Sequence, residues 1–248
     1  GPLMRTSGAV LSVKNVTKRF GGLVAVSNMS FDVAEHEMVG VIGPNGSGKT
    51  TLINMISGVY KPSDGRISLR GRLISDRQPQ NIAREGLGRT FQLVRLLPEL
   101  SVLENVIAGA VFGHRRRWAR DAEDFAHDVL ERVGMDAMSY APVSSLTYID
   151  QKRVELARTL AGEPEGLLLD EWLAGLNPTE LETGIELIHA LRNEGRTVVL
   201  VEHVMDAIRS LCDRCVVMSS GAKIAEGTPD EVLSDQEVVR AYLGDDDA

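Results

Sequence analysis

Aromatic residues and cysteine are scarce in this chain of 248 residues, and basic residues are outnumbered by acidic ones, with 27 Lys and Arg against 35 Asp and Glu. Phe, Trp and Tyr make up 4% of the sequence, and the formal net charge is −8 at pH 7. Nucleic-acid binders combine a basic surface with aromatic residues, so the composition argues against a nucleic-acid partner. No apolar run approaches the ~20 residues that cross a bilayer, and the N-terminus lacks the charged-then-apolar order of a signal peptide. We therefore expect a globular, cytosolic chain.

The two cysteines are predicted to have a structural role and not a metal-binding or redox role. Cys212 and Cys215 form a single C-x-x-C pair, with no second pair and no histidine at metal-ligand spacing. Cys215 is the first residue of the apolar run 215–218, which predicts a β-strand, and Cys212 lies just before that run. In a reducing compartment this pattern is typical of two thiols near the core, so we expect neither a zinc site nor a redox site.

One glycine-rich segment indicates phosphate binding. Residues 43–50 match the P-loop pattern G-x-x-x-x-G-K-[ST], whose backbone N–H groups point at the β-phosphate. Lys49 places its charge between the β- and γ-phosphates, and the Thr50 hydroxyl can reach Mg²⁺. A predicted strand at 38–42 and a predicted helix at 51–56 supply the context that the motif requires. The residues assigned to the nucleoside triphosphate are Asn45, Gly46, Ser47, Gly48, Lys49, Thr50 and Thr51.

An acidic pair marks a second element of such a site. The apolar run 166–169 predicts a strand that ends in Asp170 and Glu171. In an open parallel sheet the carboxyl ends of strands face the ligand crevice, so Asp170 is placed to hold Mg²⁺ directly or through water. Glu171 is then the candidate to orient or deprotonate the attacking water. Such a pair can also cap the following helix, but its position about 120 residues after a P-loop favours the catalytic interpretation.

The order of the remaining elements predicts an α/β fold. Ser101 and Glu104 form a capping-box pattern at the start of a helical stretch that runs to about residue 162. Solid apolar runs separated by helices are typical of parallel strands. Strands are predicted at 10–16, 29–33, 66–69, 167–169 and 198–201, and helices at 102–111, 122–133 and 179–193. This order predicts a RecA-like nucleotide-binding core with a mostly helical lobe inserted in it.

Taken together, these residues resemble the ATP-binding-cassette (ABC) ATPases, and the resemblance covers essentially the whole chain. It implies ATP and Mg²⁺ as ligands and the ABC ATPase fold, which is an α/β P-loop NTPase. The implied single domain spans 4–248, because residues 1–3 resemble the remnant of a cleaved expression tag. Its parts are an N-terminal antiparallel β subdomain at about 8–75, a helical lobe at about 95–162 and a RecA-like core at 38–60 and 163–243.

The resemblance also implies roles for residues outside the two motifs. Phe20 resembles the aromatic residue that stacks on adenine, and Val26 is assigned to ATP binding with it. Gln92 resembles the glutamine that contacts Mg²⁺ and the attacking water. His203 follows an apolar strand and resembles the switch histidine that contacts the γ-phosphate. The implied catalytic residues are thus Glu171, His203 and Gln92, and the implied metal ligands are Thr50, Gln92 and Asp170.

Several further segments narrow the resemblance to the ATP-binding subunits of branched-chain amino acid importers. These segments are 20–26, 89–92, 102–106, 174–178, 224–229 and 241–244. Subunits that serve importers of urea or other amides are close relatives and stay open as an alternative.

One motif departs from the family pattern. The ABC signature, usually Leu-Ser-Gly-Gly-Gln, reads Leu-Thr-Tyr-Ile-Asp at residues 146–150. In the family this motif closes over the γ-phosphate from the opposite subunit, and Thr147 keeps the hydroxyl. Ile149 replaces a glycine, and we expect its β-branched side chain to resist φ > 0 and to block close backbone approach. Trp172 and Asn177 also stand where many relatives carry Pro and Asp.

The resemblance implies ATP hydrolysis that drives a substrate across a membrane. The implied partners are ATP, integral-membrane permease subunits and a second ABC ATPase subunit, as a homodimer or a heterodimer. This places the chain in the cytoplasm, peripherally at the inner face of the plasma membrane. The altered signature keeps open a regulatory cassette that binds ATP but hydrolyses it poorly. A soluble ATPase acting on ribosomes or DNA is disfavoured, because the chain has one cassette and a net negative charge.

Overall fold

Two β-sheets organise the molecule, which the computed structural model describes over residues 8–115 and 117–246. Residues 1–3, assigned above to a tag remnant, lie outside the described residues. The strands are β1 (Ala9–Phe20), β2 (Leu23–Ala34), β3 (Met38–Ile42), β4 (Asp64–Leu69), β5 (Arg72–Leu73), β6 (Leu87–Thr90), β7 (Gly166–Asp170), β8 (Val198–Val201), β9 (Arg214–Ser219) and β10 (Ala222–Gly227).

The first sheet is antiparallel, with the strand order β2-β1-β4-β5. Strands β1 and β2 extend well beyond the predicted segments 10–16 and 29–33, because irregularities interrupt the alternation without ending the strands. The register shifts between Val13 and Val16, and Asn15 and Asn28 have φ values of 50° and 48°. Asparagine tolerates this left-handed backbone better than most residues.

The second sheet has the order β10-β9-β3-β8-β7-β6 and is parallel except for the hairpin of β9 and β10. Strands β3, β7 and β8 are buried along their whole length, which explains their solid apolar runs. The predicted α/β nucleotide-binding fold is confirmed. Because β3, β8, β7 and β6 are parallel, their carboxyl ends lie at one edge of this sheet.

Helices cover the second sheet and form a separate lobe. They are α1 (Lys49–Ile56), α2 (Pro79–Glu85), α3 (Val102–Phe112), α4 (Ala119–Arg132), α5 (Tyr148–Ala161), α6 (Pro178–Asn193), α7 (Met205–Leu211), α8 (Pro229–Leu233) and α9 (Gln236–Asp246). Helices α3, α4 and α5 pack on one another as the helical lobe. The capping box is confirmed, because the Glu104 N–H donates to Ser101 Oγ and the Ser101 N–H donates to Glu104 Oε1.

Both cysteines are buried free thiols, as predicted. They lie beneath β3, where a Cβ added to Gly40 would sit 3.0 Å from Cys212 Sγ and 3.4 Å from Cys215 Sγ. The pair therefore packs against the strand that leads into the P-loop. Within residues 8–115 and 117–246, no helix is long and apolar enough to cross a membrane.

Candidate functional site

The P-loop joins the end of β3 to the start of α1. Gly48 precedes the helix with φ of 102°, a left-handed conformation that suits glycine. A Cβ at this position would also lie 2.8 Å from the Ala25 carbonyl oxygen, so both conformation and space require glycine. Lys49 is buried, and its ammonium donates to the carbonyl oxygen of Gly43. The lysine side chain therefore folds back over the loop that begins at Gly43.

The outer part of the P-loop is open to a ligand. Asn45, Gly46 and Thr50 are exposed, Thr51 is half-buried and Ser47 is buried. The first turn of α1 carries no acidic residue, so its N–H groups present an uncancelled positive end of the helix dipole. A loop of this form suits a phosphate group.

Four neighbouring parallel strands bring the other predicted residues to the same edge. In the order β3, β8, β7 and β6, the strands lead into the P-loop, His203, Asp170 with Glu171, and Gln92. The carboxyl edge of an open parallel sheet is where ligands bind in such folds. Residues that are distant in sequence thus meet because the strand order makes them neighbours.

The Asp170 carboxylate is buried and paired with an arginine from the next strand. Arg89 Nη2 lies 2.9 Å from Asp170 Oδ2, while Arg89 Nη1 donates to Asn54 Oδ1 and Ser57 Oγ, both at 2.7 Å. Burial raises the pKa of Asp170, and the Arg89 charge acts in the opposite direction. Arg89 engages Oδ2, and the charge of Lys49 also acts to lower the pKa of Asp170.

Glu171 and His203 lie together at the same edge. Glu171 has a left-handed φ of 46°, which is uncommon outside glycine, and its Oε1 lies 3.5 Å from His203 Nδ1. Between their loops, the buried Glu202 carboxylate accepts the His203 N–H at 3.3 Å and the Leu173 N–H at 3.1 Å. Burial raises the pKa of Glu202. Glu202 therefore ties the loop after β7 to the loop after β8.

Gln92 follows β6 in the loop that leads to the helical lobe. Its carbonyl oxygen accepts a hydrogen bond from the Tyr148 hydroxyl at 3.3 Å, while its side chain is exposed. The backbone of this loop is thus tied to α5, and the side-chain amide is available to a ligand at the sheet edge.

The first sheet supplies the candidate surface for a base. Phe20, at the end of β1, is 40% exposed, and its ring packs edge-on against Tyr60 with centroids 5.2 Å apart. The Lys18 ammonium lies 5.2 Å from the Phe20 centroid. An exposed aromatic pair beside a cation suits a stacked base. Val26 is fully buried in the hydrophobic core, so its side chain presents no exposed surface to a nucleotide.

The signature residues start α5 in the helical lobe, where Tyr148 contacts the loop that carries Gln92. Thr147 caps the helix, and its hydroxyl oxygen accepts the Asp150 N–H at 3.4 Å. Ile149 lies in the first helical turn and is not among the described residues with positive φ. The expectation that Ile149 conflicts with φ > 0 is therefore wrong, because the helix gives this position a negative φ. Its side chain is half-buried and packs against the hydrophobic core.

Sequence reasoning missed two charged residues that organise the site. Arg89 and Glu202 each belong to a segment that carries a predicted site residue, but neither received a role. A signal was available, because each is a charged residue at or next to a buried strand, and buried charges need partners. What the sequence does not contain is the identity of those partners.

The assembled groups suit phosphoryl transfer. Within the described part of the chain, no group of three or more His, Cys, Asp and Glu side chains is arranged as a metal site. The edge offers an anion-binding loop, the buried carboxylate of Asp170 and the half-buried carboxylate of Glu171 beside His203. This set matches a reaction in which the substrate itself supplies oxygen ligands to a shared cation.

Comparison with known proteins gives the family. A family model described as "ABC transporter" matches residues 26–174. The high-affinity branched-chain amino acid transport ATP-binding protein LivG of Salmonella typhimurium is 43% identical over 253 residues, covering 96% of this chain and 99% of LivG. The chain belongs to the ABC transporter family. A second family model, described as "Branched-chain amino acid ATP-binding cassette transporter", matches residues 222–248 of this ABC cassette.

Two solved ABC cassettes share the fold. The ADP conformation of MJ1267, an ATP-binding cassette, has a TM-score of 0.86 and 30% identity, covering 95% of this chain and 99% of that one. The dimeric post-hydrolysis state of MJ0796, bound to ADP and phosphate, has a TM-score of 0.78 and 28% identity, covering 88% and 98%. The predicted ABC ATPase fold is confirmed, and the chain is an ATPase of this family.

Proposed function

We propose that this ABC cassette hydrolyses ATP to drive the import of branched-chain amino acids through separate permease subunits. The observation that carries the proposal is the convergence of the P-loop, His203, Asp170, Glu171 and Gln92 at one edge of the parallel sheet. The substrate class is supported by the transport role in the name of LivG and by the match over residues 222–248.

Binding of ATP uses the P-loop and the first sheet. Lys49 and the N–H groups at the start of α1 bind the β- and γ-phosphates, with Asn45 at the exposed tip of the loop. Phe20 stacks on the adenine face, where its exposed ring is already held by Tyr60. The buried Val26 anchors this part of β2 in the hydrophobic core.

Hydrolysis uses the residues that follow β6, β7 and β8. Water attacks the γ-phosphorus, the bond to the bridging oxygen of ADP breaks, and Glu171 accepts the proton of the water. Gln92 orients that water, and His203 contacts the γ-phosphate. The 3.5 Å contact between Glu171 and His203 keeps these two side chains on the same side of the site.

The donor atoms fit Mg²⁺, a hard cation that takes oxygen ligands. Thr50, Gln92 and Asp170 supply a hydroxyl, an amide and a carboxylate oxygen, and Arg89 engages only one oxygen of Asp170. Phosphate oxygens of ATP complete such a set, because Mg²⁺ sites at nucleotides rarely consist of protein ligands alone. When bound, the ion neutralises charge on the transferred phosphoryl group.

Two further partners complete the proposed transporter. A second ABC ATPase subunit brings its own signature helix, with Thr147 or its counterpart, to the γ-phosphate, and the dimeric form of MJ0796 supports this arrangement. Permease subunits dock at a groove of about 650 Å³ between the loop of residues 91–95, which carries Gln92, and the helical lobe. The groove combines apolar and basic side chains that suit an amphipathic segment, including Val59, Ile82, Phe112, Arg95 and Arg158.

Glu171→Gln tests the hydrolytic assignment. The amide is nearly isosteric but accepts no proton, so MgATP binding should persist while turnover falls by roughly 100-fold or more. Glu186→Gln is the matched control, because Glu186 is exposed on α6 and should leave turnover unchanged. Parent-like turnover in Glu171→Gln would remove Glu171 from the proposed chemistry.

Reconstitution tests the transport assignment. With its permease subunits in vesicles, the parent should drive ATP-dependent leucine uptake, and the Glu171→Gln variant should not. ATP-dependent uptake of urea in place of leucine would contradict the proposed substrate class.

A further inference from the structure

One side of α5 faces both loops that carry proposed hydrolytic residues. Tyr148, Lys152 and Glu155 have the spacing i, i+4 and i+7, which places them along one helix face. We call these three residues the α5 stripe. Opposite the stripe lie the Gln92 loop (residues 91–95) and the loop after Glu171 (residues 172–177).

The two ends of the stripe hold the Gln92 loop at two points. At one end the Tyr148 hydroxyl donates to the Gln92 carbonyl oxygen at 3.3 Å. At the other end Glu155 Oε2 accepts the Arg95 N–H at 2.8 Å. Glu155 is 4% exposed, so this hydrogen bond is shielded from water. Both contacts involve loop backbone and therefore fix the loop without using the side chain of Gln92.

Lys152 and Tyr148 of the stripe contact the loop after Glu171. Lys152 is fully buried, with its ammonium 4.9 Å from the Tyr148 ring centroid and 5.8 Å from the Trp172 ring centroid. The Tyr148 ring also lies against Gly175, where an added Cβ would be 3.7 Å from Tyr148 Cε1. Trp172 is itself fully buried and directly follows Glu171.

Burial of Lys152, Glu155 and Trp172 leaves a polar atom of each without an ordinary partner. Among residues 8–115 and 117–246, Lys152 Nζ, Glu155 Oε1 and Trp172 Nε1 have no hydrogen-bond partner. Burying such groups is costly, and the cation–π contacts of Lys152 offset only part of that cost. Buried polar groups without hydrogen-bond partners occur preferentially at functional sites, where proteins tolerate their cost.

We propose that the α5 stripe is a positioning element of the ATPase site. Tyr148 and Glu155 set the position of Gln92. Lys152 sets the position of Trp172 and, because Trp172 directly follows Glu171, that of Glu171 as well. Each of the three is proposed to act through another residue, so they are positioning residues. The proposal rests on the proposed function, because Gln92 and Glu171 are the hydrolytic residues assigned there.

Tyr148→Phe tests the first contact, because it removes only the hydroxyl that binds Gln92. Hydrogen exchange at residues 91–95 should accelerate about three- to tenfold without ATP, as expected for loss of one hydrogen bond. The kcat for ATP should fall by a similar factor while KM stays unchanged. Tyr140→Phe is the matched control, because Tyr140 is 78% exposed on the same lobe and should change neither quantity.

A double-mutant cycle tests whether Tyr148 acts through Gln92. In a Gln92→Ala background, Tyr148→Phe should cause no further loss of kcat. Losses that multiply would overturn the positioning role. Glu155→Ala removes the oxygen that accepts the Arg95 N–H, and it should also accelerate exchange at residues 91–95. Unchanged exchange in both Tyr148→Phe and Glu155→Ala would overturn the proposal even if one variant were less stable.

Lys152→Met tests the link to Trp172. In a Trp118→Phe background, Trp172 is the single tryptophan, and its buried emission should shift when the neighbouring ammonium is lost. Unchanged emission and unchanged kcat would overturn the assigned role of Lys152. Exchange and fluorescence are measured without ATP, so they test the stripe separately from the proposed function. That function fails on a different result, namely parent-like hydrolysis by Glu171→Gln.

Discussion

Glu155→Gln should stabilise the protein at neutral and alkaline pH and have little effect in acid. Glu155 lies almost fully buried on α5, and burial raises the pKa of its carboxyl from an ordinary 4.5 to about 7. The backbone N–H groups of Arg95 and Phe91 and the charges of Lys152 and Arg158 act in the opposite direction without cancelling the effect. The ionised form of Glu155 is therefore disfavoured in the folded state.

The sign of the pH dependence follows from where the proton resides. Unfolding returns the carboxyl to its ordinary pKa, so between pH 4.5 and about 7 the folded state binds the proton that the unfolded state releases. The contribution of Glu155 is thus most favourable below pH 4.5 and is lost as pH rises through about 7. A pKa rise of this size corresponds to about 3 kcal/mol. Glutamine does not titrate, so the variant lacks this loss of folding stability at rising pH.

Urea unfolding of the parent and Glu155→Gln at intervals from about pH 5 to 8.5 measures the difference directly. The gain in the free energy of unfolding should grow from near zero to about 3 kcal/mol across this range. Asp170 and Glu202 also have raised pKa values, but they titrate in both proteins and cancel in the difference. Glu186→Gln should follow the parent. A difference that stays constant with pH would refute the raised pKa of Glu155.

Three other predictions concern the nucleotide and the dimer. Lys49→Ala should abolish tight MgATP binding in a titration with a fluorescent ATP analogue, because the β- and γ-phosphates lose their main cation; unchanged affinity would exclude Lys49 from the site. Phe20→Ala should weaken ATP binding by about 1–3 kcal/mol by calorimetry, whereas a large loss of Tm without nucleotide would mark a core residue instead. Ile149→Ala should promote ATP-dependent dimerisation of Glu171→Gln as well as Ile149→Gly does, because the position is helical; in ultracentrifugation, a gain confined to glycine would restore the requirement for φ > 0.

The strand ends of the site could be predicted because their signals are local. The apolar runs at 38–42 and 198–201 coincide with β3 and β8, since strands buried on both faces carry no polar alternation. The P-loop and the pair Asp170 and Glu171 then follow in known relation to those strands. Parallel pairing converts these separate signals into one site, so the fold class and the sheet edge were predictable together.

Long-range partners of buried charges were not predictable in the same way. Arg89 pairs with Asp170 across two strands that lie far apart in sequence, and Glu202 joins the backbone of Leu173 to that of His203. Each charge is visible in the sequence, but its partner is fixed only by the order of β6, β7 and β8. The lengths of β1 and β2 were missed for a related reason, because bulges break the alternation that defines a strand.

The altered signature shows why a departure from a family motif has to be judged in its fold. Tyr148 and Ile149 stand where relatives carry glycine, and in the sequence both look like losses. In the structure Tyr148 donates to the Gln92 carbonyl oxygen and packs on Gly175, while Ile149 packs against the core at a helical φ. Both side chains therefore add contacts within the chain at a helix end that, in the proposed dimer, faces the opposite nucleotide. Because these contacts reach the Gln92 loop, a change at the signature alters the internal positioning of the site as well as its closure by a partner.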